Sequence, residues 1–343
     1  MRSVLTILLA FAAGVLLTLW MPGRGGRITA PAAPVQGALA ASASSAGGTP
    51  NAAPAYASND DDDWPAQGPS PEQVLYAQPR LLQQALAAMT PRVAGKPNLY
   101  LLTFAGDGAE DVFRNEAEYA AKLFTRRFGP SAHTLVLENN PATLATHPLA
   151  SWSNLEGALA GLARVMHPEQ DILLLYLTSH GSEDHTLLVD MDPLPLDQIG
   201  ARDLAGILAE HPLKWKVVVV NACYSGGFVP PLQGPGTLVL TAARADRSSF
   251  GCGSDSDITY FGKAWLVDAL NRTDDFVDAF HLASHDIGQW ETQDKLTPSQ
   301  PQIDIGSGID EQLALWRKQV TPGRAVPFVP AMPASTGLSA ASR

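Results

Sequence analysis

Two apolar runs in this chain each end in a side chain able to do acyl chemistry: LLLYLTSHGS, which delivers His180, and KVVVVNACYSGG, which delivers Cys223. A cysteine attacks a carbonyl as its thiolate, and an ordinary thiol pKa of about 8.5 leaves it mostly protonated at neutral pH. A neighbouring imidazole supplies the missing base and can return the proton to a leaving amine. Gly181, directly after the histidine, leaves the backbone open, so that its N–H and that of Cys223 are candidates for holding a developing oxyanion. Gly226 and Gly227 keep bulk away from the thiol. Taken singly, a buried Cys or His is an ordinary core residue. The ordered pair at two glycine-rich strand exits is what points to catalysis. His185, His281 and His285 lack a strand-end position and read as surface residues, and Ser225 is set aside as a nucleophile because the G-x-S-x-G elbow is absent.

Short β-branched or Leu-rich runs stopped by turn-forming residues are the signature of buried parallel strands. Between His180 and Cys223 lie a polar hairpin-like stretch, GSEDHTLLVDMD, and an amphipathic one, LDQIGARDLAGILAEH, with Ile199, Leu204, Ile207 and Leu208 at helical spacing. A right-handed crossover between parallel strands needs such a piece. Upstream, NLYLLTFAG (98–106) reads as a strand, 110–128 as a helix, HTLVLEN from His133 as a strand and 155–166 as a helix. Downstream, TLVLTAA from Thr237 is a strand, 260–270 a helix, and PQIDIG from Pro301 a final strand. This alternation predicts an α/β fold, a mostly parallel central sheet of about six strands with helices on both faces. Catalytic groups in such sheets gather at the carboxyl ends of the strands, where His180 and Cys223 both fall.

The 343 residues carry a formal net charge of −11, with no cluster of Lys and Arg, which excludes nucleic acid as a partner. No motif calls for a metal or an organic cofactor, and the acidic run 60–63 lacks the spacing of a calcium loop. Two cysteines, Cys223 and Cys252, are too few for a disulfide scaffold. A working thiol at Cys223 is favoured over a bridge between them. The apolar run 4–21 has the length of a membrane span, and residues 1–27 are expected to be an anchor or signal segment, with the anchor favoured and the globular part exported. Residues 28–70, rich in Ala, Ser and Pro, are expected to be a tether, 71–320 the folded domain, and 321–343 a loose tail.

Strand-TSHGS, then strand-NACYSGG, then LTAARADRSSFGC and TYFGKAW, resembles the legumain family of cysteine peptidases, over roughly Leu99 to Gln302. The resemblance implies a caspase-like fold, peptide or protein substrates, Cys223 and His180 as a catalytic dyad, and Gly181 as an oxyanion contributor. It also implies contacts to substrate around Ser179, Arg114, Asn221 and Lys263. The chain departs from the family at that pocket. Val112 stands where an Asn is usual, Asn221 replaces the acid before the Ala-Cys pair, and Lys263 falls where a second acid is usual, while Arg114 is kept. With those acids gone, an acidic or small polar residue is expected before the scissile bond. The alternative is that Arg114 and Lys263 merely solvate a helix face. The expected function is a membrane-tethered, exported cysteine endopeptidase; the alternatives are a transpeptidase using the same dyad, or a catalytically silent anchored binding module.

Overall fold

The computed structural model describes residues 64–65 and 68–331. The apolar run 4–21, most of the tether and residues 332–343 lie outside the described residues. Among the described residues no helix is long and apolar enough to cross a membrane.

Six strands make the central sheet: β1 (Leu99–Ala105), β2 (Ala132–Glu138), β3 (Ile172–Thr178), β6 (Trp215–Asn221), β7 (Thr237–Thr241) and β8 (Gln302–Ile305), in the order β2-β1-β3-β6-β7-β8. The first five are parallel, and β8 closes one edge antiparallel to β7. Every residue of β1 and β3 is buried, which is why both read as unbroken apolar runs. The hairpin-like stretch forms a two-stranded ribbon of β4 (Thr186–Leu187) and β5 (Ile199–Gly200).

Side-chain alternation along the strands divides the core into two layers. Leu99, Leu101, Leu174, Tyr176, Val217 and Val219 face helix α2 (Asp111–Arg127), together with α5 (Phe276–Gln293) and α6 (Ile309–Arg317). Leu102, Phe104, Leu175, Leu177, Val218 and Val220 face α3 (Trp152–Val165) and α4 (Ala201–Ala209). The fold is thus the expected α/β sandwich of helices about a six-stranded, mostly parallel sheet. The segment read as an ordinary helix at 260–270 is a wide π-helical turn over Gly262–Ala269.

Two departures concern the ends. Helix α1 (Pro71–Ala88) has no counterpart in the sequence reading. It starts on a capping box in which the Ser70 hydroxyl accepts from the Gln73 N–H and the Gln73 side chain accepts from the Ser70 N–H. Its Leu82 and Leu86 lie over Gly157 and Gly161 of α3. The tail expected to be loose from residue 321 is instead tied down as far as Ala331. Val326 is buried, its carbonyl accepts from the Tyr119 hydroxyl at 2.8 Å, its N–H donates to Asn271 Oδ1 at 2.7 Å, and the Ala331 N–H donates to Asn115 Oδ1.

Candidate active site

The parallel register places three side chains abreast. Ala105 of β1 pairs with Thr178 of β3, and Thr178 with Asn221 of β6. Two residues beyond each of these positions stand Asp107, His180 and Cys223. The chain leaves β1 for β2 on one side and returns to β3 on the other, so the crevice between β1 and β3 is the switch point at which such sheets bind ligands.

His180 Nε2 lies 3.5 Å from Asp107 Oδ2, and the Phe113 ring meets the imidazole edge-on with centroids 5.1 Å apart. Asp107 is 3% exposed. Burial pushes its carboxyl up, while the Ala109 N–H, bonded to Oδ1 at 2.9 Å, and His180 pull it back. An imidazole held through Nε2 keeps Nδ1 for proton exchange with a substrate.

Cys223 is a free, half-buried cysteine. The Ser249 N–H donates to its sulfur at 3.3 Å and the Ser249 hydroxyl lies at 3.6 Å. The side chains of Cys252 and Ser248 also approach it closely enough to act on its titration. Cys252 above all, then Ser249 and Ser248, outweigh burial and draw the Cys223 pKa well below that of an ordinary thiol. Cys252 moves the other way, kept protonated by Cys223 beside it and by burial.

The turn that presents the sulfur is strained. Tyr224 is left-handed at φ 56°, its N–H donating to Arg247 O at 2.7 Å, and a 3₁₀ turn, Ser225–Phe228, follows at once. A Cβ at Gly181 would stand 2.2 Å from the Cys223 carbonyl oxygen, so only glycine allows the two strand ends this approach. His185, read as a surface residue, is half-buried: its Nδ1 lies 3.2 Å from Tyr224 O, and a Cβ at Gly227 would meet its ring. It braces the cysteine turn from outside.

Beneath the site Glu116 of α2 is fully buried and accepts five hydrogen bonds. Oε1 takes the Thr259 N–H and hydroxyl; Oε2 takes Tyr176 Oη, Thr178 Oγ1 and Asn221 Nδ2. Burial is the main influence on this carboxyl and raises its pKa against those donors. The cluster fastens α2 to the ends of β3 and β6, two residues below His180 and Cys223. It also accounts for Asn221 where the legumain family has an acid: a carboxylate there would face Glu116 at the 2.7 Å now spanned by an amide donor.

The residues expected to meet substrate fall differently. Asn221 is buried in the Glu116 cluster, and Ser179 is turned inward, its hydroxyl donating to Leu188 O at 2.6 Å and holding the ribbon to β3. Arg114 does not solvate a helix face: it is 2% exposed, 3.2 Å from Asp111 Oδ1 and bonded to Asn140 Oδ1. Lys263 is half-exposed, paired with Asp268 and lying over the Trp290 ring at 4.4 Å. Both cations thus have carboxylate partners of their own. Asp107 and Glu116 were missed by sequence reasoning, and Cys252 was considered there only as a bridge partner for Cys223.

Residues 153–309 match the peptidase C13 family. The matched stretch holds His180, Cys223 and Cys252, while Asp107, Arg114 and Glu116 precede it. Among solved structures, a caspase-1 from Spodoptera frugiperda is similar at 12% identity and a TM-score of 0.44, over 64% of this chain and 89% of that one. None of the curated proteins matches the chain.

Proposed function

We propose that the protein is a cysteine peptidase in which Cys223 attacks the carbonyl of a peptide bond and His180 protonates the amine that leaves. The observation that carries this reading is the row of Asp107, His180 and Cys223, set side by side by the register of β1, β3 and β6. The Ser249 N–H on the sulfur favours the thiolate, and His180 takes the thiol proton as base and returns it as acid. The thiolate adds to the carbonyl, and the N–H groups of Gly181 and Cys223 receive the oxyanion. His180 Nδ1 gives its proton to the departing amine, leaving a thioester at Cys223. Water, deprotonated by the same nitrogen, then releases the acid and the free enzyme. Asp107 holds the ring in place and offsets its charge.

An acidic preference before the cut loses its physical support, because Arg114 and Lys263 are already matched with carboxylates. With the run 4–21 as anchor or signal, the peptidase would work on the exported side, which fractionation of the full chain tests. The decisive assay incubates the protein with an unbiased peptide library under reducing conditions, beside Cys223→Ala and His180→Ala. Cleavage lost in both variants is expected. A library left intact by the wild-type protein, with amine acceptors present, would overturn the reading in favour of a binding module.

A further inference from the structure

The sulfur proposed as nucleophile has a second free thiol beside it. Cys252 packs on the cluster of Phe113 and Ala117, the same Phe113 whose ring meets His180, and stands close enough to Cys223 to act on its titration. The loop between the cysteines is drawn over Cys223 by the Ser249 N–H at 3.3 Å, and it turns at Gly251, φ 79°, immediately before Cys252. The two thiols therefore lie in one site, where the Ser249 N–H favours Cys223 as the attacking thiolate and Cys252 can follow as the resolving thiol.

We infer that Cys223 and Cys252 form a reversible disulfide that switches the site off in the presence of hydroperoxides. The inference rests on Cys223 being the nucleophile proposed above. The Cys223 thiolate attacks one oxygen of hydrogen peroxide; the S–O bond forms, the O–O bond breaks and hydroxide leaves. The Cys252 sulfur then displaces the hydroxyl from the resulting sulfenic acid. The S–S bond forms, the S–O bond breaks, and the Cys252 proton leaves with the hydroxide as water. Two thiols have lost two electrons and the peroxide has gained them. A dithiol reverses the change by exchange through a mixed disulfide. Cys252 thereby protects the nucleophile, because a sulfenic acid with no thiol in reach proceeds to the sulfinic acid, which thiols do not reduce.

The test treats the reduced full chain with hydrogen peroxide, alkylates the remaining thiols with iodoacetamide, and maps peptides by mass without reduction. The expected product is a single-chain pair of peptides joined through Cys223 and Cys252, two hydrogens lighter than their sum, with both cysteines alkylatable again after dithiothreitol. In Cys252→Ala, Cys223 is expected to reach the sulfinic acid and to stay unreactive after dithiothreitol. Oxidised Cys223 beside a still alkylatable Cys252 in the wild-type chain would overturn the proposal, as would pairing between chains. The two readings fail separately. Protein that forms the bond yet cleaves no peptide before oxidation sinks the peptidase, whereas protein that cleaves but over-oxidises sinks only the disulfide.

Discussion

At the scale of single residues, the sulfur of Cys223 is held by the loop that carries Ser249. The donors around Cys223 lower its pKa, so iodoacetamide should alkylate it at a rate nearly flat from pH 7 to 9, where an ordinary thiol, titrating at about 8.5, gains most of its reactivity. Because Cys252 is the largest of these influences, Cys252→Ala should move the profile to higher pH. An unchanged profile would show that Cys252 does not hold the thiolate. Asp107→Asn should lower kcat with little change in KM, by ~10²-fold or less. A contact of 3.5 Å is looser than the bond in a serine-protease triad, where the same substitution costs about 10⁴-fold. Cys223 and His180 were legible in the sequence because each ends an apolar run. Asp107 was not, since it stands among Glu110, Asp111 and other acids, and only the register of β1 against β3 singles it out.

Among the elements, the Glu116 cluster ties the strand ends to α2, and its charge balance can be tested as a pair. Asn221→Asp should destabilise the fold by a few kcal/mol, roughly what an added buried and unmatched charge costs. Combined with Glu116→Gln, which exchanges amide and carboxylate, part of that loss should return, with a coupling energy of about 0.5–3 kcal/mol in urea unfolding. Strict additivity of the two substitutions would mean that the 2.7 Å contact carries no energy. The strands could be read because parallel strands buried on both faces leave continuous Val and Leu runs. The cluster could not: FRNEAEY reads as the polar side of a surface helix, and Glu116 is buried only because Tyr176, Thr178, Asn221 and Thr259 converge on it from three other segments. Helix α1 escaped notice for a related reason, its apolar positions being separated by Gln and Ala and interrupted by Pro79.

For the molecule as a whole, Glu138 at the end of β2 links stability to pH. Both its carboxylate oxygens are buried without a hydrogen-bond partner, and burial, with Glu118 nearby, pushes the pKa up to about 8. The folded state therefore holds this proton more tightly than the unfolded chain, whose glutamate titrates near 4.5. The stabilisation is complete below that pH, declines as pH rises towards 8, and amounts to a few kcal/mol at most, at about 1.4 kcal/mol per unit. His147, 3.5 Å away, has its own pKa lowered by burial, so the comparison that isolates Glu138 is with Glu138→Gln. The Tm of that variant should approach that of the wild-type protein at pH 5 and exceed it at pH 8. Parallel curves would show that Glu138 titrates normally.

The position of β1 in the sheet carries a consequence for how this protein can be divided. Similarity to the family begins at residue 153, yet β1 lies inside the sheet, hydrogen-bonded to β2 on one side and to β3 on the other. A gene cut at that border would yield a chain whose β3, seven buried residues long, is left as an open edge with its backbone groups unpaired. Such a product should associate edge to edge and sediment as aggregates. The segment before residue 153 is thus no accessory that recombination could exchange whole: boundaries drawn by likeness and boundaries drawn by hydrogen bonds fall in different places along this chain.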